Sequence, residues 1–458
     1  MRVSLVLMPN YMNETPSLGL AYLYSSLIEC GHEVSRIEFN LSFRNKLWIR
    51  KLGTINSIVS SELERYLSDY GKEKETEKYF AYCVSRILQE KPAVVGFSLY
   101  SLNWVSSAIV ASKLREKDSN IRIVYGGPTL FFNRKISERL LQLGIVDYIV
   151  IGEGEKSLPT ALQNDRIKEI PGIMYLDGTK IICNDWVPEE DIDSLPYPLF
   201  NSEAIQQSLL PYRLPIITSR GCRYQCKFCS QKHLWKGFRQ RRVSSVVDEI
   251  KYQSKMHQVY DFRFNDSLLN GTPGYVERLS SALMAENTNI VWGGNMRIDR
   301  GLSRKSFKKM YNGGCRYIYF GVESASPSVL NRMGKFYDIH TVEENLRAAH
   351  DANIWTHVYL MVGYIRESYS DFQKTIKFIM KNKQIIDSFM INIYNEDLVS
   401  PYNKGVRLSD LSVGRQRLQE AEKIFDKSHY YGKVIDENFQ KRYDRINNQK
   451  NMPNRIYL

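Results

Sequence analysis

Cysteine is scarce in this chain, yet Cys222, Cys226 and Cys229 fall together in "SRGCRYQCKFCSQKH". The other four of its seven cysteines, Cys30, Cys83, Cys183 and Cys315, are scattered. An odd total with three members clustered is no disulfide framework and reads as a metal site in a reducing compartment. Two metals compete for the window. Zinc wants four ligands, and His233 lies close behind Cys229, so a Cys3His set exists on paper. An iron–sulfur cluster takes thiolates, and a cluster held by only three leaves one iron open to a further ligand. A closed zinc would be structural, whereas an open iron would be reactive.

The elements that must position these thiols follow from the periodicity. From Pro215 the runs "PIITSRG", "DFRFND", "NIVWGGNMRI", "YIYFGVES", "WTHVYLMVG" and "DSFMINIYN" alternate with helical segments such as "RVSSVVDEIKYQSK" and "DIHTVEENLRAAHDA". Six strand–helix units predict an open or partial parallel barrel over 213–395, with functional residues at the carboxyl ends of its strands. The cysteines follow the first of those strands, a place that favours the reactive cluster over a structural zinc.

The front of the chain alternates in the same way. "VSLVLM", "EVSRIEF", "AVVGFS", "IRIVYGG" and "DYIVIGEGE" predict parallel strands, and "SLGLAYLYSSLIECG" a helix with Leu20, Leu23, Leu27 and Ile28 on one face. Residues 1–175 therefore read as an open doubly wound domain with a helical insertion near 41–90. Ligands of such sheets bind outside the strands' carboxyl ends. Those ends carry Ser98, Gly126, Gly127, Gly152 and Glu153. "GEGEKS" has glycines for a phosphate turn, but its two glutamates would repel a pyrophosphate, which excludes a nicotinamide site. Residues 176–212, with "NDWVPEEDIDSLPYPLF", read as an irregular linker. Residues 396–458 are a polar, basic extension with one helix, "SVGRQRLQEAEKIFDKS".

The CxxxCxxC spacing after a strand, with Phe228 before the last cysteine, resembles the signature of the radical S-adenosylmethionine (SAM) enzymes. The resemblance implies a [4Fe-4S] cluster on Cys222, Cys226 and Cys229, with SAM chelating the fourth iron and cleaved reductively to a 5′-deoxyadenosyl radical. It extends to "FRFNDSLLNG", which implies Asn265 and Asp266 near the methionyl amine. "FGVESASPSVLNRMGK" implies Glu323 and Ser324 near the ribose and methionyl group. Arg297 would meet the carboxylate, while Phe228 and Gly363 would lie near the adenine; a carboxylate suits an ammonium and an arginine suits a carboxylate. Relatives usually read GLPGET where this chain has "GYIRES", so that loop differs. Cys315 reads as packing.

The first 175 residues resemble the cobalamin-binding domain fused ahead of many such enzymes, through "PSLGLAYLYSSLIECGHEV", "KPAVVGFS", "VYGGP" and "DYIVIGEGE". The implied fold is α/β: a Rossmann-like doubly wound cobalamin-binding-type domain, then a partial (β/α)6 radical SAM barrel and a small C-terminal region. Ser98, Gly126, Gly127, Gly152 and Glu153 become the cobalamin contacts. The DxHxxG motif that supplies a histidine to cobalt is absent, and His32 in "CGHEV" reads as serving a helix end. The resemblance implies a cobalamin-dependent methyltransferase acting on an unactivated carbon of a peptide or natural-product intermediate. An epimerase, cyclase or rearrangement enzyme with a domain that no longer binds cobalamin is the alternative, and a zinc-bearing binding protein is a third class.

Composition bounds these readings. The chain has 458 residues, is 43% hydrophobic and 25% charged, and is ordinary for globular proteins. No run is apolar enough for a membrane span, and the start lacks a signal-peptide core, so a cytoplasmic location is expected. A net charge of +13 suits acidic partners such as a flavodoxin or ferredoxin reductant or an acidic precursor peptide. No nucleic-acid motif accompanies the charge.

Overall fold

Short Val- and Ile-rich runs separated by helix-length segments have no hairpin route to pairing, so they pair in parallel with crossover helices. The computed structural model describes residues 1–9, 14–42, 74–163, 167–394 and 408–425. The chain divides into two units, Met1–Pro211 and Tyr212–Leu458.

The first unit contains, in order, β1 (Arg2–Leu7), α1 (Leu18–Glu29), β2 (Glu33–Glu38), α2 (Lys74–Gln89), β3 (Val94–Ser98), α3 (Trp104–Lys117), β4 (Arg122–Gly126), α4 (Arg134–Gln142), β5 (Tyr148–Val150), α5 (Gly154–Gln163), β6 (Ile173–Asp177) and β7 (Lys180–Cys183). Its sheet runs β2-β1-β3-β4-β5-β6-β7, with β1 to β5 parallel. Val6, Val95 and Phe97 pack into one core with Phe80 of α2 and Trp104 of α3. Leu5, Leu7 and Val94 pack into the other with Leu20 of α1 and Leu158 of α5. Burial on both faces is why these strands read as continuous apolar runs.

Two expectations change here. On α1, Ala21, Ser25 and Ser26 are buried while Ile28 is 40% exposed, because small residues let the helix approach its neighbours closely. Of the expected linker at 176–212, residues 176–211 fall in the first unit. β6 and β7 form an antiparallel hairpin on the edge of the sheet, turning at Gly178 with φ of 60°. Trp186 fills the space over Gly152 and Gly172, and Arg36, in a buried ion pair with Glu38, donates to the Leu199 carbonyl at 3.1 Å. The insertion expected at 41–90 ends in α2, and its 43–73 portion lies outside the described residues.

The second unit contains β8 (Arg213–Ile216), α6 (Val243–His257), β9 (Asp261–Phe264), α7 (Tyr275–Ala285), β10 (Val291–Met296), α8 (Arg304–Asn312), β11 (Cys315–Glu323), α9 (Pro327–Met333), α10 (Ile339–Asp351), β12 (Trp355–Val362), α11 (Tyr369–Asn382), β13 (Ser388–Ile393) and α12 (Leu408–Ile424). The six strands are all parallel and stand in chain order, β13-β12-β11-β10-β9-β8, as an open barrel of six units requires. On β11, Phe320 meets Phe307 of α8 edge-on at 6.3 Å, so Tyr319, one residue earlier, points to the opposite, inner face. At the amino ends of β8 and β9, the buried Arg213 and Asp261 pair at 2.8 Å, and Tyr317 donates to the same carboxylate at 3.1 Å. The expected C-terminal helix is α12; most of the remaining 396–458 lies outside the described residues.

Candidate functional site at the cysteine loop

The loop after β8 is built by close backbone approach. Gly221, with φ of 83°, passes so near the Gly237 carbonyl that a Cβ would stand 2.0 Å from its oxygen. Behind it, Arg241 forms a buried ion pair with Glu249 at 2.5 Å and donates from its backbone to the Thr218 carbonyl at 2.8 Å. On the far side, Lys227 N–H donates to the Met333 carbonyl at 2.9 Å, and the left-handed Gly334 that ends α9 lies against Cys226. The Cys229 N–H closes the turn on the Cys226 carbonyl at 3.1 Å.

The Cys222 and Cys229 thiols both feel the charge of Cys226. Burial pushes the Cys222 thiol up, a Cys226 thiolate pushes it further, and Arg297 and Lys335 pull it down. Burial likewise raises Cys229, with Cys226, Cys222 and Glu323 adding to it. Cation binding must therefore displace protons from these sulfurs. Arg297 Nη1 lies 3.4 Å from Cys226 Sγ, and its guanidinium covers the Tyr224 ring at 4.0 Å. Asn270 holds the Arg297 backbone at both its N–H and its carbonyl, each at 2.9 Å. Among the described residues no three His, Cys, Asp or Glu side chains converge on one ion. A [4Fe-4S] cluster asks for no such convergence, since its thiolates bind different irons. Three thiols with two neighbouring cations fit a [4Fe-4S] group.

The remaining expected residues divide in two. Glu323, at φ of 66° beside a bulge in β11, accepts from Lys335 Nζ at 3.0 Å, and Asn265 is exposed at the end of β9. Phe228 packs on Val329, Met333, Tyr364 and Tyr394. Gly363, with φ of 75°, ends β12 and donates to Glu367 at 2.8 Å. These border the loop or the strand ends. Asp266 and Ser324 do not offer their side chains. Asp266 is buried and accepts from the Thr218 and Ser219 hydroxyls at 2.7 and 2.6 Å and from Thr218 N–H, so it ties β9 to the cysteine strand. Ser324 is fully buried and its hydroxyl meets Thr375 at 3.3 Å and the Ser326 N–H at 3.1 Å. The side chains of these two are engaged in packing the strand ends.

Sequence reading missed Lys335, Tyr224, Tyr337 and Arg417. Lys335 is buried; desolvation works against its charge, but Glu323 holds its pKa up at about 12. Its signal was "MGK", a helix-stopping glycine followed by a cation. Arg417 of α12 forms a buried ion pair with Glu367 and donates to its carbonyl at 2.8 Å, so the C-terminal helix anchors the divergent "GYIRES" loop. No local signal linked residues fifty positions apart.

In the first unit, Ser98, Gly126 and Gly127 lie at the carboxyl ends of β3 and β4, beside the switch point where the order changes between β1 and β3. The Gly126 carbonyl accepts from Leu99 N–H at 2.8 Å, and a Cβ on Gly127 would strike Leu99 at 2.5 Å. Gly152 faces Trp186, and Glu153 accepts from the Glu189 backbone at 3.1 Å, which engages that pair within the unit. His32, before β2, lies at the opposite edge and is the single histidine in residues 1–211. The strand-end crevice fits a cobalamin-type ligand only without a histidine bond from this unit.

Residues 216–379 match the family model described as the Radical SAM superfamily. An uncharacterized methyltransferase of Pyrococcus horikoshii is 24% identical over 412 residues, 88% of this chain and 80% of that protein. Among solved structures, the radical S-adenosylmethionine methyltransferase TsrM from Kitasatospora setae, with cobalamin and a [4Fe-4S] cluster bound, superposes with a TM-score of 0.63 at 17% identity, covering 86% of this chain and 74% of that one. The cobalamin-dependent S-adenosylmethionine radical enzyme OxsB gives a TM-score of 0.66 at 17% identity, covering 95% of this chain and 57% of that one. The described residues contain no helix long and apolar enough to cross a membrane. With the three-cysteine loop after the first strand of a six-stranded parallel sheet, the second unit resembles the Radical SAM superfamily over residues 216–379, and the chain shares its fold with TsrM and OxsB.

Proposed function

We propose that the protein is a cobalamin-dependent radical SAM methyltransferase acting on an unactivated carbon of a peptide or small natural-product intermediate. The observation that carries this is the Cys222, Cys226, Cys229 loop with Arg297 at 3.4 Å from one sulfur, on the same chain as a doubly wound unit. When bound, the cluster and SAM supply a carbon-centred radical and the cobalamin a methyl group. The residues of the chain do the rest. The three thiolates hold the cluster, Arg297 gives its guanidinium to the SAM carboxylate, and Asn270 fixes that arginine's backbone. Lys335, paired with Glu323, keeps positive charge beside the thiolates. Asn265 and Glu323 contact the SAM amine and ribose, and Phe228 and Gly363 its adenine. Ser98, Gly126 and Gly127 supply backbone groups to cobalamin. Likeness to TsrM and OxsB, whose structures contain cobalamin, supports that part of the reading.

The net charge of +13 supports docking of an acidic flavodoxin- or ferredoxin-type reductant, and such a partner and the free thiols together favour a cytoplasmic setting. Nucleic acid is not among the proposed partners. The test is anaerobic reconstitution with iron, sulfide and hydroxocobalamin, followed by desalting and metal analysis. About four irons and one cobalt per chain are expected. Iron without cobalt would replace methylation by epimerase, cyclase or rearrangement chemistry, and zinc without iron would overturn both.

A further inference from the structure

One row of side chains crosses the inner face of the second unit. In register, Asn295 of β10 faces Tyr319 of β11, Tyr319 faces His357 of β12, and His357 faces Ser388 of β13. Arg263 of β9 joins the row by donating from Nη2 to Asn295 Oδ1 at 3.1 Å, and its guanidinium stacks over the Tyr319 ring at 3.8 Å. The His357 ring lies 5.1 Å from the same tyrosine and 4.7 Å from Tyr359, centroid to centroid.

Two atoms of this row are buried without a hydrogen-bond partner: Arg263 Nη1 and His357 Nε2. The proton on the histidine can be assigned from its neighbours. Trp355 Nε1 is a donor only and gives its proton to Ser388 Oγ at 3.1 Å. The buried serine proton then has His357 Nδ1, at 2.8 Å, as its acceptor among the described residues. The imidazole proton is thereby placed on Nε2. Burial and the charge of Arg263 keep the ring neutral, with its pKa down at about 3. Two buried N–H donors, one cationic, thus remain unpaired beside the Tyr319 and Tyr359 rings, and an unpaired buried donor costs stability that a bound acceptor returns.

We propose that Arg263 and His357 form a subsite for an acidic oxygen group, a carboxylate or a phosphate, and that the substrate presents this group on a planar or aromatic segment lying against Tyr319 and Tyr359. The assignment rests on the function proposed above and itself places the substrate on this barrel face. It adds the substrate's class: an acid, not a neutral or basic molecule. A charge-assisted, partly buried contact of this kind discriminates an acid from its isosteric amide by about tenfold or more.

The test uses the full, cluster-loaded chain with three probes: phenylacetate, phenyl phosphate and phenylacetamide. Affinity is followed by calorimetry, and contact by the His357 resonance in protein carrying 13C at histidine Cε1, identified by its loss in His357→Gln. The expected result is roughly millimolar binding of one or both acids, as fragments of this size allow. That binding should be about tenfold tighter than for the amide, shift the His357 resonance, and lose its preference for acid in Arg263→Gln. Whichever of the carboxylate and the phosphate binds more tightly names the group. Equal binding of acid and amide, no binding of any probe, or an unchanged preference in Arg263→Gln would overturn the subsite. Should Arg263→Gln fail to fold, the His357 shift in the unmodified chain still decides. Iron and sulfide measured on the same samples keep the two readings apart, since full cluster content without acid preference sinks only the subsite.

Discussion

Arg297 Nη1 and Cys226 Sγ stand 3.4 Å apart, with the guanidinium laid over Tyr224. An arginine so close to a thiolate serves either the sulfur or whatever binds next to it. Because Cys226 belongs to a three-thiol set with an open corner, the second role is expected to dominate. Arg297→Met should keep its iron but bind SAM about tenfold more weakly, the loss expected for one charge-assisted hydrogen bond. Equilibrium dialysis of SAM beside iron analysis separates the two; loss of iron would assign the arginine to the cluster itself.

Gly221 and Gly237 face each other but are not equivalent. Both have positive φ, 83° and 79°, yet a Cβ on Gly221 meets the Gly237 carbonyl at 2.0 Å while one on Gly237 meets nothing within 4 Å. Gly237→Ala should therefore cost only the left-handed strain, about 1 kcal/mol, and load iron normally. Gly221→Ala must displace the loop, and iron per chain after reconstitution should fall well below that of Gly237→Ala.

The Arg213–Asp261 pair is buried and shares Asp261 with the Tyr317 hydroxyl. Removing the charge of Asp261 leaves a buried guanidinium uncompensated, so Asp261→Asn should lower stability by about 3 kcal/mol in urea unfolding. Tyr317→Phe, which removes one neutral donor to the same carboxylate, should cost about 1 kcal/mol.

Asp371 opens α11 and predicts a pH effect. Its partial burial favours the neutral acid, but hydrogen bonds from Ser326, Ser368 and Ser328 outweigh this and hold the carboxyl well below its ordinary 3.8. A group depressed on folding contributes its stability above the unfolded value and loses it as pH falls toward the folded one. The melting-temperature difference between the parent and Asp371→Asn should be constant from pH 7 to about 5 and shrink below about pH 4. Melts of the metal-free chain followed by circular dichroism check this; a difference that grows in acid would contradict it.

Much of this architecture was legible in the sequence because periodicity reports burial. The strands of the six-stranded sheet of the second unit, and β1 to β5 of the first, overlap the runs "DFRFND", "YIYFGVES", "AVVGFS" and their companions. The hairpin β6–β7 was missed although its signal, Asp177-Gly178 between alternating residues, is in "MYLDGTKII"; the acids and prolines that follow it masked it as linker. Within the site the motifs singled out the cysteines and Arg297, and the structure brings Arg297 beside Cys226. The partners of Asp266 and Ser324 were not legible, because a polar residue at a strand end reads alike whether it faces a ligand or, as here, Thr218 or Thr375. Arg263 and His357 were silent, since a row across five strands exists only once register is known.

The chain order of β8 to β13 has a consequence for how the protein is made. Each strand of this sheet finds its neighbour next in synthesis, so pairing proceeds stepwise with short loop closures. The cysteine loop is the exception. It follows the first strand, yet it takes a backbone bond from Met333 and the side chain of Arg297, both translated long afterwards. Its thiols therefore leave the ribosome well before their cradle exists. A nascent chain stalled before Met333 should expose Cys226, which the finished protein buries, and leave the loop without its cradle.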